Sequence, residues 1–311
     1  MLRILTEPQE GATYAQLLAV AQEAERLGYD GFFRSDHLQM IGDHAPGPGS
    51  TEAWTTLAGL ARETATIRLG VMVASATFRH PGILALTAST VDSMSGGRLE
   101  VGLGAGWFEV EHRSLGLPFP AVRERFVRLE EQLQILTGIW TTAPTETFCF
   151  TGTHFALKDC PALPQPAQRP HPPIIVGGTG TRRTPHLAAR YAAEYNVPPF
   201  ETIDTARECA ARVRAACEAD DRDPASMILS TAQPIAVGTN TADVRRRSAW
   251  LADTVEEASQ IGLCGSTDQV VDKLGRLHDL GARRTYLQLI DIDDLDQLHL
   301  IAQDIMPQLP S

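Results

Sequence analysis

The sequence predicts an α/β protein of the (β/α)8 TIM-barrel class, with residues 1–311 forming one domain and an insertion at about 141–173, after the fourth helix. Three observations predict it. Short apolar runs alternate with amphipathic helical runs along the chain, the pattern of parallel strands joined by crossover helices. The alternation counts eight strand–helix units, the number a closed barrel needs. Several strands also break, at their carboxyl ends, into small and polar residues, and in a parallel barrel that end opens onto the active-site mouth. A doubly wound open sheet shares the alternation but places a glycine-rich turn after its first strand. Here the first strand ends in Thr6-Glu7-Pro8-Gln9.

The elements follow in order. Leu2–Thr6 is a short apolar run. Leu17, Leu18, Val20, Ala21, Ala24 and Leu27 recur at helical spacing through Tyr14–Leu27, and Gly28 stops that helix. Gly31–Arg34 is the next strand; 52–64 reads as a helix, 67–74 as a strand, 81–93 as a helix ended by Gly96-Gly97, 99–103 as a strand and 122–140 as a long amphipathic helix. The rhythm lapses over 141–173, where six prolines between Pro161 and Pro173 and a hairpin around 148–155, with Gly152 at its turn, mark a structured excursion rather than a linker. It resumes with a strand at Ile174–Gly177, a helix at 183–193, a short strand at Glu194–Val197 and a helix at Ile203–Ala219. A strand at 227–237, helices near 243–253 and 267–280, a strand at 284–290 and a final helix from Asp294 complete the pattern.

Composition narrows the function. A net charge of −11 and the lack of a dense Lys/Arg patch argue against a nucleic-acid partner. The one basic triplet, Arg245–Arg247, lies in a helical pattern near Asp243 and Asp253 and reads as a solvated helix face. No apolar run approaches the length of a membrane span, and MLRILTEPQE has no basic segment followed by a long apolar stretch, so the expectation is a cytoplasmic protein without a membrane partner. Five cysteines without a CxxC fit free thiols; Cys149 and Cys160 fall in the excursion and are expected to be buried.

Four colinear segments carry the chemistry: Ser35-Asp36-His37, RLGVMVASATFRHP (68–81), RLEVGLGAGWFEVEH (98–112) and PPIIVGGTGTRRT (172–184). Asp-His at a strand's carboxyl end sets a carboxylate beside an imidazole, where each can fix the other's protonation; the plain alternative is a helix cap and a surface histidine. Gly102, Gly104 and Gly106 have G-x-G-x-G spacing, which is not the dinucleotide turn. Glu109, Glu111 and His112 fit the acidic first turn of a helix and match no metal spacing. Gly177, Gly178, Thr179, Gly180 and Arg183 join a glycine turn, a helix start and a cation, the makings of an anion site, although an ordinary turn with solvated arginines is the bland alternative. Asp291, Asp293, Asp294 and Asp296 read as an acidic helix start rather than a cation loop.

Together these segments resemble the luciferase-like monooxygenase superfamily, and within it the branch of oxidoreductases using the deazaflavin coenzyme F420; the likeness runs from about Thr6 to the last helix. The resemblance implies a luciferase-like barrel that passes a hydride between the coenzyme and a small-molecule substrate. It implies that Asp36 and His37 line the face of the tricyclic ring, with His37 as proton donor or electrostatic partner, and that Glu109 takes part in substrate or acid–base work. It implies a non-prolyl cis peptide near Val73, Ala74 and Ser75, with Thr77 nearby. Arg79 is a weaker candidate for reaching the ring or the substrate and does not read as catalytic. The glycines, Gly106 included, read as clearance for a flat ring with Trp107 at the rim, Gly177–Arg183 as a seat for the cofactor phosphate, and Asn196 as facing the ring or its ribityl chain. Two other readings share the fold: an FMN-dependent monooxygenase using dioxygen and a separate flavin reductase, and a non-catalytic flavin- or deazaflavin-binding protein. A homodimer is the expected assembly by the same resemblance.

Overall fold

In a computed structural model, which describes residues 1–41 and 47–309, the alternation becomes a closed parallel barrel. In chain order the elements are β1 (Leu2–Thr6), α1 (Tyr14–Leu27), β2 (Gly31–Arg34), α2 (Ala53–Glu63), β3 (Arg68–Ser75), α3 (Pro81–Ser95), β4 (Leu99–Gly104), α4 (Glu109–Ser114) and α5 (Val122–Thr141). Then come β5 (Thr147–Thr151), β6 (Ala156–Pro161), β7 (Ile174–Gly177), α6 (Arg183–Tyr191), β8 (Glu194–Val197), α7 (Ile203–Ala219) and β9 (Ile228–Val237). The chain closes with α8 (Thr241–Ser248), α9 (Val255–Ile261), β10 (Leu263–Gly265), α10 (Thr267–Asp279), β11 (Ala282–Leu289) and α11 (Leu295–Leu300). The barrel runs β1-β2-β3-β4-β7-β8-β9-β11 and back to β1, every pairing parallel.

Local chemistry starts and stops the elements as the sequence indicates. Thr13 and Gln16 form a reciprocal cap on α1, and Gly28 ends it at φ 84°. Pro81 opens α3 where no backbone donor is needed, and Gly96 closes it at φ 68°. In the excursion β5 and β6 pair as an antiparallel hairpin. The buried Glu131 carboxylate on α5 tethers it, accepting the N–H groups of Thr153 (2.6 Å), His154 (3.0 Å) and Phe155 (3.0 Å).

Side chains alternate along each strand, so one set fills the barrel and the other meets the helices. Leu5, Phe33, Met72, Ile175, Ala232 and Tyr286 form the apolar middle layer inside. Toward the amino ends lies a layer of charge. Arg3, fully buried, donates to Glu100 (2.6 and 3.0 Å), Asp30 (2.5 Å) and Tyr286 Oη (3.0 Å). Arg68 also pairs with Glu100, and Arg284 with Glu194 (2.5 Å), which accepts from Tyr286 Oη (2.8 Å). Burial raises the Glu100 carboxyl's pKa, but Arg3, Arg284 and Arg68 outweigh it and hold the group below the usual glutamate range.

Several local expectations are corrected. Residues 243–253 are not one helix: α8 ends at Ser248, α9 follows, and β9 runs past the barrel to pair with the short β10. The basic triplet is not all solvated, because buried Arg247 donates to Asp294 (2.7 and 2.9 Å) and to the Val237 carbonyl (2.7 Å). Cys149 is exposed on the hairpin and Cys160 half-buried, since a two-stranded hairpin packs one face only. No helix among the described residues is long and apolar enough to cross a membrane.

Candidate active site at the carboxyl end of the barrel

Strand β2 delivers Arg34, Ser35, Asp36 and His37 in turn. Arg34 points away from the barrel and braces the segment ahead of α2, donating to Thr51 Oγ1 (2.7 Å), Thr56 Oγ1 (3.1 Å) and the Thr51 carbonyl (2.8 Å). Burial lowers its pKa to about 10, with Asp36 and Glu52 opposing the fall. Asp36, 2% exposed, is clamped by both Arg79 guanidinium nitrogens at 2.5 and 2.9 Å, while Arg79 also reaches Glu52 at 2.5 Å. Burial pushes the Asp36 carboxyl above the usual range and Arg79 pulls against it.

Asp36 and His37 therefore do not fix each other's protonation as their adjacency suggests. The partner of His37 Nδ1 is Glu111 Oε1 at 3.1 Å, and Glu111 Oε2 accepts the Leu38 N–H at 2.9 Å. Burial disfavours the imidazolium, yet Glu111, Glu7 and Asp36 outweigh it and raise the His37 pKa above its ordinary 6.5. Trp107 and Phe108 stand edge-on to the imidazole, with ring centroids 5.4 and 5.9 Å away.

At the end of β3 the Met72–Val73 peptide is cis, and the register with β4 shifts between Val71 and Ala74. Val73 lies over the glycines. A Cβ on Gly102 or Gly104 would come within 2.9 Å of a Val73 methyl, and one on Gly177 within 3.2 Å. Gly104 and Gly177 clear Val73, while a Cβ on Gly102 would first overlap the Val71 carbonyl oxygen at 2.1 Å; Val73 offers an apolar surface to the mouth. Ala74 packs among the helix-facing core residues. Gly106, at φ 80°, leaves room for Ser75 Oγ, which a Cβ would overlap.

Ser75 Oγ meets Thr77 Oγ1 at 2.6 Å, and Thr77 Oγ1 meets His112 Nε2 at 2.6 Å. The fully buried His112 has its Nδ1 2.7 Å from the Phe108 carbonyl, which needs a donor there. In neutral His112, Nε2 then accepts from Thr77. On the far wall Glu7 accepts from Gln9 (2.7 Å) and Gln288 (2.7 Å), Ser35 donates to Gln9 (2.6 Å), and Asn196 donates to Ser230 (2.8 Å). Gln288 Oε1 is buried without a partner among the described residues.

The glycine turn after β7 is held by Asn196, whose carbonyl accepts the Gly178 N–H at 3.1 Å, and by Tyr195, whose hydroxyl donates to the Gly178 carbonyl at 2.5 Å. Gly178 sits at φ 136° and Gly180 packs on Thr184. No side chain caps α6, so its first N–H groups stay open beside Thr179 and Gly180. Arg183 donates instead to the Arg123 carbonyl (2.9 Å), over the Phe126 ring. Two surface grooves of about 550 and 400 Å³, lined by Thr202, Arg207 and Arg276, and by Gln233 and Lys273, include none of these residues.

The structure thus brings Asp36, His37, Val73, Ser75, Thr77 and Gly106 to one mouth. It leaves Glu109 exposed at the start of α4, with Arg125 as its charged neighbour. Sequence reasoning gave Glu7 no role, read Glu111 and His112 only as part of the acidic first turn of a helix, and gave Arg79 no structural partner. The signal for Glu7 was available: it follows the first barrel strand as His37 follows the second.

Comparison with known proteins agrees with this layout. The family model described as luciferase-like monooxygenase matches residues 2–260. The F420-dependent glucose-6-phosphate dehydrogenase of Microbacterium testaceum is 28% identical, over 94% of this chain and 93% of its own. The pyrimidine monooxygenase RutA of Stutzerimonas stutzeri is 32% identical, over 85% and 73%. A solved F420-dependent secondary alcohol dehydrogenase, in complex with an F420-acetone adduct, superposes with a TM-score of 0.85 at 18% identity, over 100% of this chain and 99% of that one. With its barrel and with a family match over most of its length, this chain belongs to the luciferase-like monooxygenase family.

Proposed function

We propose that this chain is a coenzyme F420-dependent oxidoreductase, passing a hydride between the deazaflavin and a small organic substrate at the barrel mouth. The observation that carries this reading is His37, held by Glu111 and flanked by Trp107 beside the apolar surface of Val73. The residues fit a flat, polar-edged cofactor with an anionic tail. Val73 and the three glycines behind it give a broad apolar face, Gln288 Oε1 is an unpartnered polar atom in the mouth layer, and the α6 start is uncapped.

When bound, the deazaflavin supplies the ring carbon that gives or takes the hydride. Val73, Ala74 and Ser75 would back it, Ala74 through its backbone, while Thr77 and Gly106 keep Ser75 in place. Thr179 and Gly180 would hold the phosphate through N–H groups on the turn that Gly177 and Gly178 shape, with Arg183 on the adjoining turn and Asn196 along the chain between phosphate and ring. Asp36, locked by Arg79, orients the strand end that carries His37. Nε2 of His37 would give the substrate oxygen its proton, or take it in the reverse direction. Glu109 would meet the substrate from the rim.

A second reading, an FMN-dependent monooxygenase drawing reduced flavin from a separate reductase, has the likeness to the pyrimidine monooxygenase in its favour. Oxygen separates the two. Incubated with the reduced deazaflavin and a panel of carbonyl and enone acceptors under nitrogen, the protein should reoxidise the coenzyme in proportion to acceptor. Product formed only with reduced FMN and dioxygen would replace the first reading with the second. Tight binding with no turnover of either would make the chain a cofactor-binding protein.

A further inference from the structure

We infer that Glu111 is the positioning residue for His37, holding the imidazole with its proton on Nδ1 and its Nε2 turned to the mouth. Within catalysis this rests on the proposed function; the protonation of His37 does not.

The geometry gives Glu111 two simultaneous tasks. Its buried carboxylate takes the His37 ring nitrogen at 3.1 Å with one oxygen and the following backbone N–H, Leu38, at 2.9 Å with the other. Ring and backbone are thus fixed by one group, and Ser114, one turn on along α4, donates to Gln39 Oε1 at 2.7 Å. From the other side Ser50 Oγ donates to the His37 carbonyl at 2.7 Å. A carboxylate can only accept, so His37 Nδ1 must carry the hydrogen, and its lone pair or second proton sits on Nε2.

The other charged groups around His37 do not substitute for Glu111. Asp36, on the same strand end, is paired with bidentate Arg79, which Glu52 shares, and acts on His37 only through space. Glu7, beyond β1, is held by Gln9 and Gln288 and contributes through space. Trp107 and Phe108 carry no charge and stand edge-on to the ring. Glu109, on the same short helix, faces solvent, where its field is screened. Only Glu111 makes a hydrogen bond to the imidazole among the described residues.

The experiment is a pH titration of the His37 ring nitrogens by NMR on the whole chain without cofactor, in the wild type and in Glu111→Gln. The glutamine keeps the size of the side chain and an acceptor for Leu38 but removes the charge. In the wild type the neutral ring should carry its proton on Nδ1. In Glu111→Gln the midpoint should fall by about one pH unit, with the preference for Nδ1–H lost; Glu109→Gln should leave both unchanged. An unchanged midpoint and tautomer in Glu111→Gln, or an equal fall in Glu109→Gln, would overturn the inference. Should Glu111→Gln not fold, Glu111→Asp, which keeps the charge but draws it back from Nδ1, should show an intermediate midpoint; a wild-type midpoint and tautomer there would count against Glu111. In turnover, the pH limb of kcat/KM assigned to His37 should move with the midpoint. Because the titration needs no cofactor, failure of the proposed function would leave its result standing.

Discussion

The two ends of this barrel use charged residues for opposite purposes. At the amino end, Arg3, Arg68 and Arg284 meet Glu100, Glu194 and Asp30, and Tyr286 bridges them, so that charge cancels in a closed layer. At the carboxyl end charge is paired behind and left open in front: Arg79 secures Asp36 and Glu111 secures His37, while Trp107 stays 62% exposed. A barrel separates stability from chemistry along its axis in this way. Matched charge at the base resists change, and the mouth can hold half-satisfied groups because the base is already closed.

Removing Glu100 should break that division most severely. Glu100→Ala leaves Arg3, Arg68 and Arg284 short of a carboxylate inside the barrel, and urea unfolding should show a loss of about 3–5 kcal/mol or no folded protein. A loss below about 1 kcal/mol would mean that the base is not what holds the barrel closed. At the mouth the expected effect moves from stability to rate. His37→Ala should stay folded and keep the cofactor but lose about 10²–10⁴ in turnover; wild-type turnover would remove His37 from the chemistry. Gly104→Ala joins the two kinds of effect, because the new methyl displaces Val73. It should cost about 1–3 kcal/mol and weaken cofactor binding, measured by the same unfolding curve and by titration.

The smallest effect sharpens the comparison through pH. Glu100 has a lowered folded pKa, so its contribution is present above the ordinary value near 4.5 and is lost as pH falls through the folded value below it. His37 has a raised one, so its contribution is present below 6.5 and is lost as pH rises through the folded value above it. Unfolding free energy measured across pH should fall at the acid edge in the wild type. The modest loss above 6.5 should vanish in His37→Ala, and its persistence there would assign it to another group.

Much of the barrel was legible because strand–helix alternation is a local property: Tyr14–Leu27 carries its periodicity, its Thr13 start and its Gly28 stop in one stretch. The site was legible only to the level of which strand ends meet. His37 was readable as a mouth residue, but its partner lies 74 residues along the chain on a six-residue helix, too short to show periodicity. Adjacency favoured Asp36, and tertiary packing gave Asp36 to Arg79 instead. The glycines of 102–106 were readable as clearance, yet what they make room for within the chain is β3 itself: the Val71 carbonyl, the Val73 methyls and Ser75 Oγ. The base left a signal that went unread: Arg3, Glu100 and Glu194 are charges inside otherwise apolar strands, and a buried charge requires a partner.

On the proposed function, the carboxyl-end mouth is built for a deazaflavin. Titrating the cofactor-free protein in parallel with coenzyme F420 and with FMN, and following Trp107 beside His37 by fluorescence, tests it most directly. The account predicts tight, saturable quenching by coenzyme F420 and much weaker quenching by FMN. Tight FMN binding with weak binding of the deazaflavin would contradict it.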